Sequence, residues 1–430
     1  MNNSIALNPR YSVVVEACAG SGKTWLLVSR ILRLLLAGIN PREILAITFT
    51  RKAAQEMQAR LHEWLHFLAT QDATAVRAFL AERELHDVND DLLARARCLY
   101  RDCLMAQPAI TINTFHGWFM QIIRRAPLNS GLLTGMQLLE HTSVLYDEAW
   151  KMFADSLRAA SDDVIAQEMQ WLFAEYGLHT TQTLLKNFVQ KRAEWWAYTD
   201  GREDAVGYAI EQLRSELDVN PEDDPLAILR DKNFEANVQD FVSVLQSGTE
   251  AQQRDAGELM EALKYQDLAA RFEALCAKFY TDKGEPRKLK PTGKQDKVRY
   301  ASLYGAVFEI LHFVRVALTE RDVLRMNQAV LHCGAALLQH YQDLKLRQQV
   351  MDFTDVEWQV FRLLGQSDCA EYMQYKLDSR YKQVLLDEFQ DTSSDQWGIL
   401  KRLEESLDNH DESSFFCVGD DKQAIYGWRG

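Results

Sequence analysis

Two groups of residues, far apart in the chain, have the types and spacing needed to bind and hydrolyse a nucleoside triphosphate. The first is Ala17-Cys18-Ala19-Gly20-Ser21-Gly22-Lys23-Thr24, which follows a short apolar run and precedes a helical pattern. It fits G-x-x-x-x-G-K-[ST] except at its first position, where Ala17 stands in place of glycine. In such a loop the backbone N–H groups and the helix N-terminus face a phosphate. Lys23 is placed to reach the β- and γ-phosphate oxygens, and the Thr24 hydroxyl to bind Mg²⁺. The second group is Asp387-Glu388 at the end of "VLLDEFQDT", residues 384–392. A carboxylate at a strand end suits a Mg²⁺ ion, and the adjacent one suits orientation or deprotonation of the attacking water. An isolated Asp-Glu pair is ordinarily a solvated turn, but the loop and the buried strand before it favour the catalytic reading.

Three further motifs are expected at strand ends of the same sheet. "ITFTRKAAQEM" places Thr48, Thr50, Arg51 and Lys52 where hydroxyls, a helix N-terminus and cations suit a nucleic-acid phosphate. "TINTFHGWF" places Thr114, Phe115 and His116 where a hydroxyl and two rings suit a single strand. "GDDKQAIYGWRG" carries Gln423, Tyr426, Trp428 and Arg429, with a carboxamide to sense the γ-phosphate and aromatics to stack on bases. Each motif alone reads as readily as packing. Together they match the rule that ligands of parallel sheets bind beyond the carboxyl ends of the strands.

The elements that must position these residues are legible from periodicity. "SVVVEA", "EILAITFT", "AITINTF", "YKQVLLD" and "SFFCVG" read as strands. "KTWLLVSRILRLLLAG" reads as a helix stopped at Gly38. "KAAQEMQARLHEWLHFL" reads as a second, with Ala54, Met57, Leu61, Trp64 and Leu68 on one face. Strand and helix alternate, which predicts right-handed crossovers and a parallel sheet. From about 126 to 334 the sheet signal vanishes and the pattern is amphipathic helix. "SSDQWGILKRLEESL" after Asp387 is a helix with Ser393 or Ser394 as its N-cap. The expected architecture is therefore α/β. A RecA-like P-loop NTPase domain over 1–125 and 335–430 is interrupted by an all-helical inserted domain, 126–334.

Bulk properties limit the alternatives. The chain has 430 residues, 47% hydrophobic and 26% charged, with a net charge of −14. That charge argues against coating nucleic acid with the whole surface, although a local basic groove remains compatible with it. "KGEPRKLKPTGKQDKVR", 283–299, reverses the sign locally and reads either as a solvated loop or as a phosphate-contacting surface. The N-terminus lacks a signal-peptide pattern and no apolar run reads as a membrane span. Seven scattered cysteines fit reduced thiols in a cytoplasmic protein that does not contact a membrane.

The ordered series ACAGSGKT, AITFTRKAAQEM, INTFHGW, MDFTDVEW, VLLDEFQDT and VGDDKQAIYGWRG resembles the N-terminal motifs of UvrD/Rep-type superfamily 1 helicases. The long helical insertion and the approach "ALNPRYSVVVEACAGSGKT" resemble the AddA/RecB branch. The motifs lie at the two ends of the chain, and the helical middle resembles the family only in position and size. The resemblance implies an ATP- and Mg²⁺-dependent motor moving 3′→5′ on single-stranded DNA, loading on 3′-tailed duplexes. It also implies work in recombination and double-strand break repair, with an AddB-like or RecC-like partner subunit. By motif, Lys23, Asp387, Glu388 and Gln423 are catalytic, Thr24 and Asp387 hold the metal, and residues 17–24 hold the nucleotide. Thr48, Thr50, Arg51, Thr114, Phe115, His116, Tyr426, Trp428 and Arg429 contact DNA. Asp352, Phe353 and Asp355 match a motif that is structural or DNA-adjacent. The family's adenine-reading Gln upstream of the loop has no counterpart between Met1 and Val15, leaving Asn8 or the backbone to serve. The resemblance further implies the front part of a longer protein, without the second RecA-like domain and its arginine fingers, so that residues 1–430 alone hydrolyse ATP poorly. The competing readings are an ATP-dependent switch or scaffold that binds DNA without unwinding it, and a P-loop kinase.

Overall fold

The computed structural model describes residues 3–18, 22–130, 135–160, 162–217, 219–220, 222–288, 291–293, 295–365, 369–407, 413–420 and 422. The chain divides into two compact units, Met1–Tyr146 with Asp343–Gly430, and Asp147–Gln342.

The first unit is built on β1 (Val13–Glu16), β2 (Ile44–Thr48), β3 (Thr111–Thr114), β6 (Gln383–Asp387) and β7 (Ser414–Gly419). They form one sheet in the order β1-β7-β6-β2-β3, parallel at every pairing. A separate parallel pair joins β4 (Gln137–Leu138) to β5 (Val350–Met351). The central strands have no polar face, as a sheet covered on both sides requires. Every residue of β2 and β6 is buried. Successive side chains go to opposite layers. Ile44 and Ala46 of β2, Leu385 of β6 and Phe416 and Val418 of β7 pack with helices Lys23–Leu36, Arg51–Thr70 and Asp90–Met105. Leu45, Ile47, Val384, Leu386, Phe415 and Cys417 pack with helices Phe115–Ile123, Phe353–Gly365, Ala370–Asp378 and Ser394–Leu407. The result is three layers, α/β/α, with the α/β class expected. Strand β1, read as buried, lies at the sheet edge instead, and Val14 is 75% exposed. An apolar β-branched run does not tell a central strand from an edge strand.

Helix ends follow local chemistry. Helix Lys23–Leu36 stops where Gly38 takes φ +96°, a conformation that costs glycine little. The Gly38 N–H donates to Leu35 O and the Ile39 N–H to Leu34 O, which satisfies the last carbonyls. Ser393 is the N-cap of the helix after β6, since its hydroxyl accepts from Gln396 N at 3.3 Å. Buried Arg30 donates to Ala6 O, Asn8 O and Tyr11 O and to the Ser414 hydroxyl, which fixes the segment leading into β1.

The second unit is helical. Its core joins helices Lys232–Gln246, Glu250–Ala262 and Leu268–Phe279 through Phe234, Phe241, Leu259, Leu275 and Phe279. Helix Lys297–Gln348 contributes Val307, Leu311 and Val314 to that core. This helix is long and apolar enough over one stretch to meet the length and composition of a membrane span. Core helices of ordinary proteins meet the same length and composition, so this does not make the helix a membrane span. Charged residues are spread along the helix, and its apolar side chains are used in part as a protein core. All seven cysteines are free thiols. In the basic stretch, Arg287 donates to Tyr280 O and Arg299 N to Asp296, so part of it is folded back on its own unit.

Candidate nucleotide and nucleic-acid site

Parallel pairing sends the carboxyl ends of all five strands to one edge of the sheet, and most of the singled-out residues lie there. Ala17 follows β1 and its N–H donates to Gly419 O of β7 at 2.8 Å. Gly22, at φ +87°, turns the chain into helix Lys23–Leu36 and offers no side-chain cap to its first N–H groups. The neighbouring helices are capped by Thr50, Asp72, Asn89 and Thr114. The uncapped donors after Gly22 fit a phosphate group, which supplies the acceptors a capping side chain would have given. Ala19, Gly20 and Ser21 lie outside the described residues, as do Gln423, Tyr426, Trp428 and Arg429.

Three charged side chains converge beyond β1 and β6. Lys23 Nζ donates to Glu388 Oε2 at 2.7 Å, with side-chain exposures of 10% and 32%. Asp387 is buried, accepts from the Thr48 hydroxyl at 3.2 Å, and receives the Glu388 N–H at 3.1 Å. Burial, and then the Glu388 carboxylate beside it, push the Asp387 carboxyl up to about 6. Two carboxylates against one ammonium leave an uncompensated negative charge in a poorly solvated place. That donor set fits a divalent cation, with the Thr24 hydroxyl at the helix start as a further oxygen. Among the described residues no group of three or more His, Cys, Asp and Glu forms a dedicated metal cage. Mg²⁺ is commonly held by one or two carboxylates together with phosphates. Glu388 takes the left-handed conformation at φ 52°, which costs a non-glycine residue about 1 kcal/mol or more. It turns the carboxylate away from the Asp387 direction and onto Lys23.

One element of this site escaped the sequence reading. Gln390 Nε2 donates to Glu388 Oε2 at 2.7 Å, while its Oε1 accepts from Asp420 N at 3.0 Å. Gln390 thereby ties the acid after β6 to the segment after β7. A carboxamide two residues past the paired acids was the available signal. Thr48, expected to contact nucleic acid, is 1% exposed, and its hydroxyl donates to Asp387 instead of facing solvent. The Asn8 carboxamide oxygen accepts from Arg10 N within its own turn.

The remaining strand-end residues divide by exposure. The Thr50 and Thr114 hydroxyls accept from Ala53 N and Gly117 N at 3.1 and 3.2 Å, the N-caps of their helices. Arg51 is exposed and pairs with Glu140 at 2.7 Å. Phe115, expected to stack on bases, is corrected to a core residue: it is 3% exposed and packs against Phe119. The helix begins one residue after Thr114 and turns that ring inward. The ring that does reach the surface is Phe353, 36% exposed, with its centroid 4.2 Å from that of His116. His116 Nε2 meets Glu357 Oε1 at 2.8 Å, and Gln396 Nε2 donates to the same oxygen at 2.6 Å. Glu357 thus joins the helix after β3 to the helix after β6.

Asp352 and Asp355 hold each other's helix start. Asp355 N donates to Asp352 Oδ1 at 3.2 Å and Asp352 N to Asp355 Oδ2 at 3.1 Å, an acidic form of the capping box. Buried Lys345 pairs with both, at 2.5 Å to Asp355 and 3.3 Å to Asp352. The motif is structural.

The chain is 25% identical to an ATP-dependent helicase/nuclease subunit from Lactobacillus delbrueckii subsp. bulgaricus, over 97% of this chain and 35% of that protein. It is 24% identical to a protein of the same name from Listeria monocytogenes serotype 4b, over 97% and 34%. It is 26% identical to the RecBCD enzyme subunit RecB of Haemophilus influenzae, over 100% and 38%. The chain thus spans a little over a third of the length of these relatives. The model of the UvrD/REP helicase N-terminal domain matches residues 2–430, and the chain belongs to that family.

Proposed function

We propose that the protein is an ATP-dependent motor that moves 3′→5′ along single-stranded DNA and unwinds 3′-tailed duplexes in recombination and double-strand break repair. The observation that carries this is the meeting of Lys23, Asp387 and Glu388 beyond β1 and β6, beside strand ends that carry hydroxyls, Arg51 and exposed Phe353. ATP is the substrate that the uncapped N–H groups after Gly22 would hold by its phosphates, with Thr24 and Asp387 as the residues for Mg²⁺. When bound, the metal ion neutralises charge on the phosphoryl oxygens.

The chain's own residues supply the rest. Lys23 exchanges its Glu388 partner for phosphate oxygens. Glu388, released, accepts the proton of the attacking water or orients it. Gln390 keeps the freed carboxylate oriented and connects it to the segment after β7, the segment that leads to Gln423. Asp387 cannot take this role, because burial and its hydrogen bonds with Thr48 and the Glu388 N–H confine it. Relatives named as helicase/nuclease and RecBCD subunits favour an AddB-like or RecC-like partner for the whole protein.

The alternative is an ATP-binding, DNA-dependent switch that does not unwind. Strand displacement on 3′-tailed and 5′-tailed duplexes decides between them. The motor reading predicts ATP-dependent unwinding of the 3′-tailed substrate only. ATP turnover stimulated by DNA with neither duplex opened would establish the switch.

A further inference from the structure

A second concave site lies at the opposite end of the same sheet. It is a cleft of about 580 Å³ whose walls come from residues just before β2, β3 and β6 and from the helices Phe115–Ile123 and Ala370–Asp378. Arg42 sits in the turn before Ile44, and Arg380 and Tyr381 just before Gln383. The strands are parallel, and β2 and β6 are each five residues long, so this cleft is separated from the nucleotide loop by about 15 Å of sheet. It shares no residue with the site described above.

Its lining is unusual for a chain with a net charge of −14. Four cations line it, Arg42, Arg125, Lys376 and Arg380, and no carboxylate does. Among the described residues none of the four pairs with an acid within 4 Å. The chain has 62 acids, and the neighbouring Lys382 takes Glu43 at 3.4 Å, so acids are at hand. Four like charges left together cost free energy through repulsion that a polyanion would reverse. The deepest of the four is fixed. Arg380 Nη2 donates to the Thr111 hydroxyl at 3.1 Å, and its guanidinium lies over the Tyr381 ring at 4.8 Å. Aromatic rings accompany the charges at the rim. Tyr372 lines the cleft and is 50% exposed, with Lys376 Nζ 5.3 Å from its centroid. Tyr375, on the same helix one residue before Lys376, is 69% exposed and lies outside the lining itself.

We propose that this cleft is a second binding site for single-stranded nucleic acid, which would hold phosphates on Arg42, Arg125, Lys376 and Arg380 and stack bases on the tyrosines. Cations interleaved with exposed aromatics are the requirement of a sequence-tolerant single-strand site. An acidic protein segment would need the charges but not the rings. The site stands independently of the motor reading, since it uses none of the residues at the carboxyl ends of the strands.

The test uses the whole protein with Tyr375→p-benzoylphenylalanine, irradiated with labelled (dT)20 at low salt. The proposal predicts a crosslink mapped to the helix Ala370–Asp378. In the combined variant Arg42→Glu, Arg125→Glu, Lys376→Glu, the (dT)20 concentration that gives half-maximal crosslinking should rise about 100-fold. The salt dependence of crosslinking should fall by about two in slope for three lost phosphate contacts. These three side chains are not in the core, and far-UV circular dichroism checks that the variant folds. No crosslink, a crosslink indifferent to the three charge reversals, or displacement by poly-glutamate more readily than by unlabelled (dT)20 would overturn the proposal, the last in favour of an acidic protein partner. Loss of DNA-stimulated ATP turnover with the crosslink intact would count against the motor reading alone.

Discussion

The sheet-bearing unit contains two clusters of the same composition, one lysine against two aspartate or glutamate side chains, and they differ in closure. At Lys345, Asp352 and Asp355 all three residues are at most 5% exposed, and each carboxylate also accepts the other's backbone N–H. At Lys23, Asp387 and Glu388 the carboxylates are treated unequally. Asp387 is buried with Thr48, whereas Glu388 is swung outward by a left-handed backbone and is about one-third exposed. The first cluster has spent its hydrogen-bonding capacity on the fold. The second keeps a partly exposed acid paired to a single lysine, and an uncapped helix end beside it. Charge composition does not separate a structural ion cluster from a reactive one, whereas burial and prior engagement with backbone groups do.

Single substitutions can break this contrast. Lys345→Ala leaves two carboxylates buried together and should destabilise the fold by about 3–5 kcal/mol, read as the unfolding midpoint in denaturant. A variant that unfolds like the parent would place Lys345 outside the structural role given to it. Lys23→Ala should do the reverse. ATP turnover by the whole protein is expected to fall about 10²–10³-fold, with single-strand binding kept and stability changed by less than about 1 kcal/mol, because Glu388 can then turn to water. Preserved turnover would remove Lys23 from the site. The smallest effect is at Thr50. Thr50→Ala removes the cap of helix Arg51–Thr70 and should cost about 1 kcal/mol of stability, while Thr50→Ser retains it. If Thr50→Ser weakens single-strand binding as much as Thr50→Ala does, the methyl group and not the hydroxyl meets the strand.

Much of this fold is legible in the sequence. The five strands and the helices after β1, β2 and β3 follow from apolar runs ended by small or polar residues. The alternation of Leu45 and Ile47 with Ile44 and Ala46 between two layers is the period-two pattern of a covered strand. The placement of the paired acids at the end of β6 was legible because their chemistry demands adjacent residues at a strand end, whereas Ala19, Gly20 and Ser21 of the expected phosphate loop lie outside the described residues. Position within the sheet was not, since Val14 on the edge and Leu385 in the centre belong to equally apolar runs. Side-chain direction was not legible either. Whether Phe115 faces solvent or core depends on the residue at which the helix begins, and there a one-residue difference turns the ring inward. Links between distant segments, such as His116 with Glu357 and Gln390 with Asp420, leave no local pattern at all. The basic cleft belongs to the same class, because Arg42, Arg125 and Arg380 are far apart in sequence and share one cleft only in the fold.

The central claim is that Glu388 activates water for a hydrolysis coupled to DNA. Its most direct test is steady-state ATP turnover by the whole protein carrying Glu388→Gln, with and without single-stranded oligonucleotide. The account predicts that the parent is stimulated by the oligonucleotide. In the variant turnover should fall about 10²–10⁴-fold in both conditions, with ATP still bound through Lys23 and the helix after Gly22. Turnover in Glu388→Gln within a few-fold of the parent, or a parent rate indifferent to DNA, would contradict it.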